Sequence, residues 1–266
     1  MVQVIGEFGA LERVQVEPGL VGFRSPALLE AGVPHAFTTR HDGGGLALEI
    51  DGSDAPAGST ERLHSLLGLT TSRTLTRVRQ VHGAELRRAP DEVSLPPPDA
   101  DALLTEHAHS LLIVRVADCV PVLIAARDGR SVAAVHAGWR GLVAGVLTRT
   151  LAALAGHELI AAIGPSISRE HFEVGPEVAE AFRSNALAEV VHEQTNGRHA
   201  IDLRRAARLQ LERAGVRRID ETDCCTWRDA ADLFSYRREI THGGGTSTGR
   251  MGAVIGVAPS ESTSVR

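Results

Sequence analysis

Three short apolar, β-branched runs lie close together mid-chain, at residues 111–116, 120–126 and 131–136. Each is short enough for a strand, and the apolar pattern predicts buried strands. Residues 142–155 repeat at helical spacing, with Gly141 before and Gly156 after, so the middle reads as strand, strand, strand, helix. Upstream, residues 35–40 predict a strand running into a turn at glycines 43–45, Ser59–Leu67 a short helix, and residues 74–83 a β-branched strand stopped by Gly83. Downstream, residues 175–187 carry Pro176 at a first-turn position, and residues 202–215 have Asp202 as N-cap and Gly215 as stop; both predict amphipathic helices. Residues 249–258 predict a last strand, and the polar stretch 259–266 a disordered tail.

Strands grouped in hairpins, with helices between the groups, predict an α+β fold: a single domain over residues 1–258, of mixed, largely antiparallel sheets with flanking helices. No GxGxxG leads from a strand into a helix, so a dinucleotide site is not supported.

The pattern also carries a register. Between the second and third runs lies Arg127-Asp128-Gly129-Arg130, and Asp-Gly is the preferred pair for a two-residue type I′ hairpin turn. Opposed residues then have numbers summing to 257, which sets Pro121 against His136 and places Cys119 and His136 on one face as diagonal neighbours. Such Cβ atoms stand roughly 7 Å apart, a span that a thiolate and an imidazole can close around one metal ion. A one-residue slip would send them to opposite faces. His82, at a strand end beside Gly83, is the candidate third ligand, although local geometry does not place it.

Composition narrows the chemistry. With 266 residues, 43% of them hydrophobic, the chain can bury a substantial core. A net charge of -5 and 3% aromatic residues argue against a nucleic-acid partner. Every basic residue is Arg and none is Lys, which excludes Schiff-base and P-loop lysines. The opening residues do not read as a secretory signal, and the most apolar stretch is interrupted by Arg115 and Asp118, so no membrane span is expected. Three cysteines, Cys119, Cys224 and Cys225, do not make a disulfide framework; a reducing cytoplasm is the expected location, and Cys224 and Cys225 are read as packing residues.

Several stretches, in order, resemble one family: Arg79-Gln80-Val81-His82-Gly83, Asp99-Ala100-Asp101-Ala102-Leu103, Ala117-Asp118-Cys119-Val120-Pro121 and His136-Ala137-Gly138-Trp139-Arg140-Gly141, followed by Ile163-Gly164-Pro165, Phe172-Glu173-Val174-Gly175, Cys225-Thr226, Phe234-Ser235-Tyr236-Arg237-Arg238 and Thr248-Gly249-Arg250-Met251. They resemble the laccase-domain, or multicopper polyphenol oxidase, family, which includes zinc-containing purine nucleoside phosphorylases and relatives linked to peptidoglycan editing. His171, Leu233 and the Gly-rich stretch around glycines 243–245 depart from the usual pattern, which bears on the rim of the site and not on the ligand trio.

The resemblance implies zinc on His82, Cys119 and His136, a set that leaves one tetrahedral position open, as catalytic zinc requires. It implies phosphorolysis of adenosine, inosine, guanosine or 5′-methylthioadenosine to free base and ribose 1-phosphate, with zinc-dependent deamination of adenosine as a further activity. Arginines must then hold the phosphate: Arg40 first, with Arg140 and Arg237 behind it. Asp118 is a candidate acid/base or His-orienting group, or else a structural carboxylate capping Trp139-Arg140-Gly141. Three alternatives stay open: a copper oxidase of phenols, for which only His107 and His109 form an HxH pair; a cysteine hydrolase with Cys119 as nucleophile and His136 as base, acting on peptidoglycan precursors; and a non-catalytic binding module.

Overall fold

A computed structural model describes residues 8–42, 59–89, 96–194 and 197–259. Three strands come first, β1 (Phe8–Ala10), β2 (Glu12–Glu17) and β3 (Leu20–Arg24), followed by the short helix α1 (Pro26–Glu30) and β4 (His35–Asp42). Then come α2 (Ser59–Leu67), β5 (Thr74–Thr76) and β6 (Leu86–Arg88). The middle holds β7 (Ala102–Thr105), β8 (Ser110–Val116), β9 (Val120–Ala126) and β10 (Val132–Ala137), then α3 (Trp139–Ala144), α4 (Val146–Ala153) and β11 (Leu159–Ile163). The last third runs β12 (Glu173–Val174), α5 (Pro176–Ser184), β13 (Val191–Glu193), β14 (His199–Ile201), α6 (Leu203–Arg213), β15 (Arg218–Glu221), a π-helical turn (Arg237–His242) and β16 (Met251–Gly256).

The strands form a seven-stranded sheet (β1-β15-β11-β9-β10-β7-β6), a six-stranded sheet (β2-β3-β4-β16-β8-β5) and a small three-stranded one (β12-β14-β13). Pairing is mixed and mostly antiparallel, as the hairpin grouping predicts. Period-two alternation explains the layering. On β9, Leu123 and Ala125 join Phe37, Leu112, Val114 and Ala253 in a core between the two large sheets. Val122 and Ile124 point the other way, into a core with Leu147, Phe182 and Leu209 from the covering helices. The outer face of the six-stranded sheet is closed by Leu63, Leu66 and Leu67 of α2, against Leu111, Ile113 and Val254. Among the described residues no helix is long and apolar enough to cross a membrane.

Three sequence expectations change in detail. The helix expected over residues 142–155 starts at Trp139 and is broken at Gly145, whose φ of +83° turns the chain between α3 and α4. The strand expected over residues 74–83 pairs only to Thr76, because the following backbone bonds elsewhere. The hairpin turn is not type I′: Gly129 has φ +70° but Asp128 does not share it, and the Gly129 N–H donates to Ala126 O at 2.8 Å. A four-residue connection replaces the two-residue one. Because it adds one residue to each side, the register survives, with His136 opposite Pro121. The turn expected at glycines 43–45 and the tail from residue 260 onward lie outside the described residues.

The two large sheets are tied by a buried polar knot. His35, on β4, donates from Nδ1 to Val33 O at 2.8 Å and accepts the Ser25 N–H on Nε2 at 2.7 Å, while the Ser25 hydroxyl donates to Asp220 of β15 at 2.6 Å. Both ring nitrogens are used only by the neutral tautomer. Burial, seconded by the charge of Arg24 and opposed by the Val33 bond, pushes His35 down from 6.5 to about 4. The unfolded chain therefore takes up a proton that the folded one refuses, so this contribution is complete above pH 6.5 and is lost as pH falls toward 4. The loss over that window is on the order of 3 kcal/mol. Urea unfolding at pH 7 and pH 4.5 should show a markedly smaller pH dependence in His35→Gln than in the wild type; equal slopes would contradict this account.

Candidate metal centre

Three strand ends and one loop meet at the carboxyl end of β8. Cys119 sits in the tight turn between β8 and β9, His136 near the end of β10, and His82 in the loop between β5 and β6. Their ligand atoms all lie within 4.8 Å of one another, and among the described residues this is the one group of three or more metal-type ligands. The His82 and His136 rings stand edge to face, with centroids 4.8 Å apart. His136 is buried, Cys119 partly so, and His82 exposed, which leaves the centre open on one side. Gly138, just after β10, forms its floor: a Cβ there would come within 3.1 Å of both Cys119 Sγ and His82 Cδ2. Two imidazoles and one thiolate converging over a glycine suit a borderline-soft transition metal.

What holds the two histidines is Asp101, a residue of a matching stretch to which sequence reasoning assigned no role. It is fully buried just before β7. Oδ1 accepts the His82 N–H at 2.9 Å and His136 Nδ1–H at 2.7 Å, and Oδ2 accepts the N–H groups of Gly83 at 2.6 Å and Val81 at 3.2 Å. Its carbonyl takes the His136 N–H at 2.8 Å. Burial alone would raise its pKa, but the His136 and backbone bonds and the nearby imidazolium hold it below the usual carboxylate range. The available signal was an acid beside a strand too apolar to be exposed, since a buried carboxylate must be paired.

The expectation that His82 ends a strand is corrected. It lies in a loop at φ +59°, the left-handed region, held there by the Asp101 bonds. His136 Nε2 is left to face Cys119, since Nδ1 is committed to Asp101. Burial opposes ionisation of both groups, yet mutual attraction prevails: the imidazolium and the bonds from His136 and His82 draw the Cys119 thiol down to about 6, while the Cys119 charge and Asp101 raise His136 to about 9. The pairing with His136 thus favours the thiolate form that a metal ligand needs.

The other candidates lie around this centre without entering it. Asp118, at φ +98°, accepts the Thr226 hydroxyl at 2.6 Å and the Arg237 N–H at 2.7 Å, so it locks the segment after β15 to the Cys119 turn and does not cap Trp139-Arg140-Gly141. Arg237 lies over Phe172 and donates to Glu173 O, and Arg40 lies over Phe234 and donates to Ala230 O. Arg140 is exposed, stacked on Trp139. Cys225 is buried and accepts the Ser168 N–H, and Cys224 is partly buried; neither joins the ligand trio. His171 stacks on Trp227, whose ring also meets His242.

Residues 34–258 match the family described as multi-copper polyphenol oxidoreductase laccase. The chain is 38% identical over 254 residues to a purine nucleoside phosphorylase of Deinococcus radiodurans, covering 90% of this chain and 94% of that one. It is 39% identical over 181 residues to the purine nucleoside phosphorylase YfiH of Escherichia coli, covering 67% and 72%. Among solved structures it is similar to YlmD from Geobacillus stearothermophilus, with a TM-score of 0.78 and 29% identity over 93% of this chain and 99% of that one.

Replacing Asp101 by Asn keeps the shape but removes the anionic acceptor for the imidazole. Affinity for Zn2+, measured by chelator competition, should fall about 10- to 100-fold in Asp101→Asn. In the wild type it should weaken steeply below about pH 6, where the Cys119 thiolate takes up its proton.

Proposed function

Because the chain belongs to the multi-copper polyphenol oxidoreductase laccase family, we propose that it is a zinc-dependent purine nucleoside phosphorylase, acting on adenosine, inosine, guanosine or 5′-methylthioadenosine. The observation that carries the reading is the likeness to a purine nucleoside phosphorylase along 94% of that relative's length. The donor set supports zinc over copper. One thiolate and two imidazoles with an open side suit a single catalytic zinc, whereas a multicopper oxidase needs further histidine sets, and His107 and His109 stand outside the only such group among the described residues.

In the reaction, an oxygen of inorganic phosphate bonds to C1′ of the ribose as the bond from C1′ to the base nitrogen breaks. The bonding pair leaves with the purine, which takes up a proton, and the products are free base and ribose 1-phosphate. Charge shifts from the phosphate onto the departing base, so both ends need stabilisation. His82, Cys119 and His136 would hold zinc, which would supply a Lewis acid at one end. With no lysine in the chain, the other end falls to arginine. Arg40 and Arg237 are held over aromatic rings, which keeps each guanidinium plane oriented, and exposed Arg140 contacts substrate from the rim. Both oxygens of Asp118 are engaged by protein donors, which supports a positioning role through the Arg237 segment. Zinc held there would also supply the Lewis acid for deamination of adenosine, in which water replaces the 6-amino group and ammonia leaves.

A second reading draws on the Cys119–His136 pair, which is also what a cysteine hydrolase would use. Chelation separates the two: a thiol hydrolase survives it and dies on alkylation.

Incubating the zinc-loaded protein with adenosine should give adenine and ribose 1-phosphate only when phosphate is present, and inosine with or without it. Cys119→Ala should lower both rates by at least about a hundredfold. Phenol oxidation with stoichiometric copper and no nucleoside turnover would defeat the proposal.

A further inference from the structure

Arg250 carries no role so far. It directly precedes β16, the strand that lies between β4 and β8 in the six-stranded sheet. On one side Met251 pairs with Val116, so the register carries Arg250 to the level of Ala117, two residues before the ligand Cys119. On the other side Ala253 pairs with Phe37 and the Gly252 N–H donates to the Thr38 hydroxyl at 2.8 Å, which brings Arg250 level with Arg40. There the two strands part: the Arg40 N–H turns to Asp232 O at 2.8 Å, and Phe234 enters the gap. The Arg40 guanidinium lies 4.6 Å over the Phe234 ring, and the same ring packs so close to Gly249 that a Cβ there would meet it at 2.6 Å. Arg250 in turn donates to Gly249 O at 3.1 Å and Thr248 O at 2.8 Å.

Two half-buried arginines thus stand level at the ends of neighbouring strands, beside the turn that carries Cys119, with the Phe234 ring packed under Arg40 and against Gly249. Like charges set opposite each other destabilise a sheet unless something neutralises them. Among the described residues, neither guanidinium has a carboxylate partner, and each anchors one nitrogen on backbone carbonyls. The acids close by are committed elsewhere: Asp232 to Arg13 and His41, Glu239 to Arg238, and Asp118 to Thr226 and the Arg237 N–H. Anchoring one nitrogen fixes the fork while leaving its other donors for a planar or tetrahedral oxyanion.

We propose that Arg40 and Arg250 form an oxyanion clamp at the common end of β4 and β16, and that its ligand is the phosphate group of the phosphorolysis reaction. The clamp rests on the phosphorylase reading for the identity of that ligand. It divides the labour within the open site, with metal ligands on one side of the Ala117–Cys119 turn and phosphate donors on the other.

The test is titration calorimetry of the full-length, zinc-loaded protein with inorganic phosphate, without nucleoside. The wild type should bind phosphate, and Arg40→Gln and Arg250→Gln should each weaken binding by about tenfold or more, at unchanged zinc content. In turnover, both variants should raise the phosphate KM by a similar factor and leave the nucleoside KM alone. Should a variant fail to fold, phenylglyoxal labelling of the wild type, mapped by mass spectrometry, carries the test: phosphate should protect Arg40 and Arg250 together. Absence of phosphate binding, unchanged affinity in both variants, or no protection of either residue would overturn the clamp. Phosphate binding that depends on both arginines in a protein that cleaves no nucleoside would refute the phosphorylase reading and leave the clamp standing.

Discussion

The hydrogen bonds converging on Asp101 are the constraint from which the site follows. A buried carboxylate is tolerated only when donors replace the water it has lost. Here they are three consecutive backbone N–H groups from residues 81–83 and the His136 imidazole. Satisfying that one side chain bends the 81–83 loop around it, holds His82 in a backbone conformation that non-glycine residues rarely take, and fixes the tautomer of His136. Because Asp101 also accepts the His136 N–H through its own carbonyl, the loop and the strand are registered by the same residue. The ligand geometry is therefore set by the fold, before any ion is considered.

Asp118 plays the corresponding part on the other side of Cys119. Its two oxygens fasten Thr226 and the start of the π-helical turn to the β8–β9 connection. That brings the late Phe234-to-Arg238 segment beside a centre whose candidate ligands all lie at or before residue 136. The chain has few aromatic rings, and three of them, Phe172, Phe234 and Trp139, lie under guanidinium groups around the centre. In a chain without lysine, positive charge comes on planar forks, and stacking on a ring aims a fork without neutralising it. Arg40, Arg140 and Arg237 thus carry their charge on oriented planes.

Much of this was legible in the residues. Apolar runs marked β8, β9 and β10 as buried strands, the short helix α2 lies at the residues expected for it, and α5 and α6 lie where Pro176 and Asp202 signal their starts. The pairing of Pro121 with His136 followed from the position of Asp128 and Gly129 even though the turn type did not, because lengthening both arms equally preserves register. Less legible were the short β5, the break at Gly145, and the partners of Asp118 and Asp101.

By itself the sequence determined which segments alternate, which are buried, and that Cys119 and His136 share a face, because these depend on period and on contacts a few residues apart. Only the tertiary structure decided where His82 points, that Asp101 holds it, and that Arg250 draws level with Arg40. Those are contacts between segments distant along the chain, and they depend on which buried polar group finds which donor. No local periodicity encodes that choice, since it is made only when whole sheets have come together.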